Sequence, residues 1–343
     1  MKYFSYLLLL QTVFWAGCEK SDGENGPAAR AFPDPAFRQC VLEYFDFDGD
    51  GMVSDDEAAH VTVIFCQEAG IVSLKGIERF PNLRVLNCIR NHISSLDLSA
   101  NRALETLWCH DNPLVELDVS GCEGLTELDC RGWGLRRLDA SGCSSLEALD
   151  CGDNALTSLD LEGCRSLRRL SCGKNGMSGL VLEGMAGLEY LDCLSLPLDT
   201  LDLSECPRLR EAYIGGARLT TLDLRGNPSL ERLFCTDCGL RSLDVSGCSA
   251  LTALNCSGNR LGSLTVGRLP ALEALNCSFN DLASLDLSGC PVLDELDCRG
   301  NPSLESVVLA PGREQALARG LRYVAPGREP ALLYKDPGAE VVY

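Results

Sequence analysis

Leucine returns every 21 residues along most of this chain: Leu83, Leu104, Leu125, Leu146, Leu167, Leu188, Leu209, Leu230, Leu251, Leu272 and Leu293. Three residues further on runs a second apolar ladder: Leu86, Leu107, Leu128, Leu149, Leu170, Leu191, Ala212, Leu233, Leu254, Leu275 and Leu296. Two residues beyond that stands a cysteine in nearly every unit, from Cys88 and Cys109 to Cys277 and Cys298, with Ile214 the exception. A register kept over so many units is an internal repeat, and it decides the architecture before any local propensity does. The unit reads L-x-x-L-x-C-x-x-N-x-L-x-x-L-D-L-S-x-C-x-x. Its first half alternates apolar and polar positions, the mark of a strand with one buried face. It predicts one parallel strand per 21-residue coil. The second half alternates too, at Leu96-Asp97-Leu98, Leu159-Asp160-Leu161 and Leu285-Asp286-Leu287, and predicts a second extended run on the opposite side. No unit has room for a full helix. One coil cannot bury its own leucines, whereas stacked coils share a continuous core.

These units resemble leucine-rich repeats of the short bacterial type. They are still more similar to the cysteine-bearing L-x-C-x-x-N-x-L-x-x-L-D-L-S repeats of surface lipoproteins from Bacteroidetes-type bacteria, with an internalin-like opening coil around Cys66. The resemblance runs over about residues 34–310. It implies a β-rich leucine-rich-repeat solenoid of about 12 coils across residues 61–309. For the ligand it implies little, because one repeat architecture serves many partners.

The ends of the chain read differently. Lys2 followed by the apolar stretch Tyr3 to Trp15 has the form of a signal peptide and is too short to span a bilayer. Trp15-Ala16-Gly17-Cys18 resembles a lipobox, which would place a lipid on Cys18 after removal of residues 1–17. Residues 18–33 are acidic and contain Gly and Pro, as a flexible tether does. An acidic patch next to the lipidated cysteine resembles the export signal of surface-exposed outer-membrane lipoproteins. After Leu309 the repeat stops, and residues 310–343 are expected to cap the solenoid. A short helix over Arg313 to Leu321 and edge strands over Leu332 to Tyr334 and Val341 to Tyr343 are the expected elements.

Between tether and solenoid lies Asp46-Phe47-Asp48-Gly49-Asp50-Gly51-Met52-Val53-Ser54-Asp55-Asp56-Glu57. It fits the EF-hand-like calcium loop at each diagnostic position. Asp46, Asp48 and Asp50 would give side-chain oxygens, Met52 its carbonyl, Ser54 a direct or water-bridged oxygen, and Glu57 a bidentate carboxylate. Helical spacing over Pro35 to Phe45, and a helix start at Ser54, predict a small helix–calcium loop–helix N-terminal cap over residues 34–60. Calcium is the expected cofactor. The alternative is a metal-free loop held by Asx turns.

Composition narrows the function. A formal charge of −19 among 343 residues argues against nucleic acid and anionic membrane as partners, so the lipid anchor would be the only membrane contact. Twenty cysteines in an exported chain would ordinarily mean a disulfide framework. Here most fall on two ladders, the second being Cys122, Cys143, Cys164, Cys206, Cys248 and Cys290, and they are expected to be buried free thiols acting as small apolar filler. The aspartates Asp97, Asp118, Asp139, Asp160, Asp202, Asp223, Asp244 and Asp286 share one repeat position and read as a solvated ladder. Cys235 and Cys238 have metal or redox spacing without a second pair. His60, His92 and His110 have no positioned partner. No triad, metal centre or acid/base pair assembles, so no enzyme is expected.

What remains is the outward strand face. Tyr190, Tyr213 and Phe234 fall on adjacent coils and are expected to be exposed, rimmed by Asp192, Arg232, Glu211 and Leu194. Trp108 is a weaker candidate on the same face, and Trp133 another in a turn. The function expected is a monomeric surface lipoprotein that binds an extracellular protein or glycan through its repeat face, in adhesion or recognition. The alternative is a structural or accessory envelope lipoprotein without a ligand of its own.

Overall fold

The computed structural model describes residues 30–132, 134–313 and 340–342. The signal segment, Cys18, most of the tether, Trp133 and most of the C-terminal cap lie outside them.

Helix α1 (Pro35–Phe45) begins where sequence predicts, because the Asp34 carboxylate accepts from Ala36 N at 2.9 Å and Phe37 N at 3.0 Å, and Pro35 occupies the first helical position. It buries Phe37 and Val41. Helix α2 (Asp55–His60) is started by a capping box: Ser54 accepts from Glu57 N while Glu57 reaches back to Ser54 N.

The solenoid follows as a 12-stranded parallel sheet, from β1 (Val63–Phe65) to the strand Glu295–Asp297, in chain order. Each strand is three residues long, with its central residue buried. Pairing is in register one coil on, so Tyr190, Glu211 and Arg232 form one column and Asp192, Tyr213 and Phe234 another. The step is 21 residues from coil to coil except at the opening, where Val63 pairs with Val85.

The second run is present in fragments rather than as one sheet. Glu116–Asp118 pairs with Arg137–Asp139, Ser242–Asp244 with Ser263–Thr265, and Ser284–Leu287 with Ser306–Leu309. The ladder aspartates limit each run. Asp97, Asp118, Asp202 and Asp286 each accept the N–H two residues on, which turns the chain at once. They are thus turn formers as well as solvated groups. Ser306–Leu309 also takes Glu340–Val342 as a parallel edge, where sequence expects one. The expected helix beyond Arg313 and the strand over Leu332 to Tyr334 lie outside the described residues.

Polar side chains in the core do backbone work. Asn175 donates to Cys151 O at 3.0 Å and Cys172 O at 2.9 Å and accepts from Leu156 N at 2.9 Å. Asn91, Asn154, Asn259, Asn280 and Asn301 make the same donations. This clamp holds a turn whose preceding residue is left-handed, for example Lys174 at φ 53° and Phe279 at φ 55°, without needing glycine there. The nineteen cysteines among the described residues are free. Cys143 donates its S–H to Val119 O at 3.3 Å and Cys164 to Ala140 O at 3.4 Å. Asn227, in the same column, donates to Leu203 O at 3.0 Å. The thiol therefore fills space and satisfies a carbonyl together. Burial pushes the Cys143 and Cys172 thiols up to about 12, far from the thiolate form.

Candidate functional site

The strand flanks and the residue after each ladder cysteine cover the outer face of the long sheet in three columns. Tyr190 stands in the first column; Trp108, Asp129, Asp150, Asp192, Tyr213 and Phe234 stand in the second. Strand register brings the predicted aromatics together. Tyr213 and Phe234 stack with centroids 5.0 Å apart and planes 11° off parallel. Tyr190 meets Tyr213 at 5.6 Å and 45°, tilted because it comes from the neighbouring column. The expectation of an exposed cluster is corrected here: all three rings are half-buried, since each covers its neighbour's face.

The charged rim is as expected, with one addition. Tyr213 Oη donates to Glu211 Oε2 at 3.0 Å, and Arg232 lies beside it. The Arg169 guanidinium lies 4.2 Å over the Tyr190 ring, a cation–π contact. Arg169 was legible as a neighbour, being 21 residues before Tyr190 and so its strand partner.

Towards the N-terminus the face becomes acidic. Trp108 is half-buried and its indole N–H donates to Glu127 Oε1 at 2.9 Å. His110 is not partnerless, in correction of the sequence expectation: Nδ1 lies 3.1 Å from Asp111 Oδ2, and Nε2 lies 3.9 Å from Asp129 Oδ2. Asp111 is the next residue in the chain, whereas the fold supplies Asp129 from the next coil. Arg131 sits between Asp129 (3.4 Å) and Asp150 (3.6 Å). Burial raises both aspartates above the ordinary carboxylate value; for Asp129, His110 and Arg131 only partly offset this. Asp192 also repels Asp150 and raises it further.

In the N-terminal cap, carboxylate oxygens of Asp46, Asp48 and Asp50 all lie within 4.8 Å of one another. Glu57 stands outside that group. Its Oε1 accepts from Phe47 N at 2.7 Å and its Oε2 from Ser54 N at 2.8 Å, which closes the loop end to end. Ser54 Oγ is likewise turned to Glu57, at 2.8 Å. Asp46 accepts from Asp50 N and Gly51 N, and Asp50 from Met52 N. Three hard oxygen donors converging on a loop already folded around them is a set that fits a divalent cation. His60 is turned to its own helix, with Nδ1 2.7 Å from Asp56 O. Cys235 and Cys238 are both free thiols, and the Cys238 S–H is directed to Ile214 O and Thr236 O, both at 3.3 Å, where other coils use the asparagine amide.

The geometry defines a leucine-rich-repeat protein, and comparison with known proteins agrees. A family profile described as the endo-beta-N-acetylglucosaminidase EndoS LRR domain matches residues 32–154. Internalin J of Listeria monocytogenes is 34% identical over 70 residues, 20% of this chain and only 8% of that much longer protein. Among solved structures, an internalin (inlF) of Listeria monocytogenes superposes with a TM-score of 0.58 at 18% identity, over 82% of this chain and 97% of that one. YopM, a leucine-rich effector protein from Yersinia pestis, gives 0.58 at 26% identity, over 66% of this chain and 63% of that one. The chain is a parallel-strand leucine-rich-repeat solenoid, similar in fold to internalins and YopM.

Proposed function

We propose that this chain is a non-catalytic, surface-exposed outer-membrane lipoprotein, anchored through Cys18, that binds an extracellular protein or glycan through the open face of its long sheet. The observation that carries the reading is the aromatic cluster on that face, the Tyr213–Phe234 stack with Tyr190 tilted against it from the next column, rimmed by Arg169, Asp192, Glu211 and Arg232. Aromatics and arginines held rigidly at an unpartnered surface are the groups that carry most binding energy in recognition. The long, stacked face suits a large extended partner. Similarity to internalins and to a leucine-rich effector supports recognition as the general role. The lipobox-like Trp15-Ala16-Gly17-Cys18 and the acidic stretch after it support anchoring and surface display.

The N-terminal cap takes a structural calcium ion in this reading. Asp46, Asp48 and Asp50 hold it; Met52 and Ser54 would complete the shell with Glu57 once Glu57 exchanges Phe47 N and Ser54 N for the ion. The ion supplies charge neutralisation and stiffness to the loop between α1 and α2.

The test has two arms. Protease added to intact cells must remove the chain if it is displayed outside; full protection would leave only an internal, accessory role. A Tyr213→Ala, Phe234→Ala variant must then lose at least tenfold in affinity for whichever ligand a protein or glycan array returns. Unchanged binding would mean that another face is used.

A further inference from the structure

The stretch of sheet beside the aromatic column is bare in an unusual way. Asp150 and Asp192 lie two coils apart in one column, roughly 10 Å at strand spacing. Between them stands only Ser171, and in the next column the positions are Gly152 and Gly173. Each aspartate is fixed in the same way. Asp150 Oδ1 accepts from Gly152 N at 3.1 Å, and Asp192 Oδ1 from Leu194 N at 3.0 Å; the outer oxygen of Asp150 lies 3.6 Å from Arg131, whereas Asp192 forms no ion pair among the described residues.

The bases nearby are engaged elsewhere. Arg131 pairs with the outer oxygen of Asp150 at 3.6 Å and is shared with Asp129 at 3.4 Å. Arg169 lies over Tyr190. Lys174 is paired with Asp153 at 3.0 Å. Beyond Asp192, its register partner Tyr213 and then Phe234 close the dip with their stacked rings.

We propose that this dip receives an arginine or lysine side chain of a protein partner, set between the Asp150 and Asp192 carboxylates, while a neighbouring apolar residue of the partner packs against the Tyr213–Phe234 stack. The inference rests on the repeat-face reading above and names the partner's chemistry. A guanidinium can bond the outer oxygen of Asp192 and still stand within Coulomb range of Asp150. The small floor of Ser171, Gly152 and Gly173 leaves room for its stem. Arg169 on Tyr190 shows that this face already holds a cation against an aromatic ring. Neutral sugar hydroxyls could hydrogen-bond these carboxylates but would not balance the charge of Asp192, which favours a basic protein segment over a neutral glycan. The overall charge of −19 would steer such a segment towards the protein.

The test is selection of a random twelve-residue peptide display library on the immobilised chain. Enriched peptides should carry Arg or Lys next to an apolar residue. Their affinity should fall at least tenfold in Asp150→Asn, Asp192→Asn, and stay within twofold in Asp118→Asn, Asp202→Asn, which changes the second run. Both pairs keep side-chain shape, so folding is preserved. Peptides without basic residues, no enrichment at all, or indifference to Asp150→Asn, Asp192→Asn would overturn the proposal. If such peptides, or a glycan, still needed Tyr213 and Phe234, only the basic chemistry would fail. Binding indifferent to Tyr213→Ala, Phe234→Ala as well would sink the repeat-face reading itself.

Discussion

Asp34 fastens the cap to the solenoid through Val72. Its Oδ2 accepts from Val72 N at 2.8 Å and Ser73 N at 3.0 Å, in the loop of the first coil, while its Oδ1 caps α1. The residue is only 8% exposed. Burial alone would raise its carboxyl; the four backbone donors outweigh that and hold it below the ordinary value. Asp34→Ala loses a helix cap and two long-range bonds to a charged acceptor, a cost of about 3 kcal/mol. Urea denaturation should report that loss. Hydrogen exchange should speed up first over residues 35–45, and an unaltered exchange pattern there would refute the clamp.

Acid should loosen the same joints. Asp97, Asp139, Asp244 and Asp286 are held low by the N–H or hydroxyl two residues on, and Arg225 pulls Asp223 to about 2. With Asp34, these groups have folded pKa values below the unfolded value of about 3.9, so their stabilisation is complete above that pH and is lost as pH falls through the folded values. Asp129 and Asp150 carry the opposite sign, since their raised values make ionisation a cost that acid relieves. The depressed group is larger and spread along the coil. Melting temperature should therefore hold between pH 7 and 5 and drop below about pH 4. A melting temperature that rises steadily into acid would show that the raised pair dominates.

The cysteine columns predict unequal responses to serine. In Cys143→Ser the hydroxyl can donate to Val119 O as the thiol does, so the loss should stay under about 1 kcal/mol. Cys151 lies on the sheet column, fully buried, and its sulfur is met by its own backbone N–H rather than by a carbonyl that a hydroxyl could donate to. Cys151→Ser buries an unsatisfied hydroxyl there and should cost about 1–3 kcal/mol. Equal losses in denaturant titration would remove the distinction between the two sites. In the same way Cys238→Asn should be neutral within about 1 kcal/mol, because it restores the amide that other coils use at that turn.

Most of the fold was legible because a stacked coil has one environment per repeat position. Eleven leucines at one step leave a single register, and Pro35 to Phe45 carries its own start signal. Other features were hidden for physical reasons. The left-handed turn before each asparagine accepts Arg90, Asp111, Lys174 and Phe279 alike, since the asparagine clamp supplies what glycine would elsewhere, so no residue type marks it. The half-burial of Tyr213 depends on Phe234 lying flat against it, and residue type alone says nothing of ring orientation. Asp129 reaches His110 from the next coil, and only the strand register brings the two together. Asp34 was read as the edge of the cap, and its hold on Val72 spans 38 residues of chain.

The calcium loop gives a last prediction, because Glu57 has two incompatible uses. Without an ion it joins the loop ends, from Phe47 N to Ser54 N, and the loop keeps its shape by hydrogen bonds alone. With an ion, the three aspartates lose the mutual repulsion of carboxylates held within 4.8 Å. If calcium binds the folded cap, a hundredfold excess over its dissociation constant adds about 2.7 kcal/mol to the unit it stiffens. Millimolar calcium should raise the melting temperature, and chelator should reverse the rise. Asp48→Asn, which weakens the ion's ligand set but keeps the Asx turn onto Asp50 N, should abolish the calcium response while leaving the chelated melt no lower than before, since one of the three repelling charges is gone. A chelated melt equal to the calcium melt in the unsubstituted protein would mean that the loop is held by its Asx turns and the capping box of α2 alone.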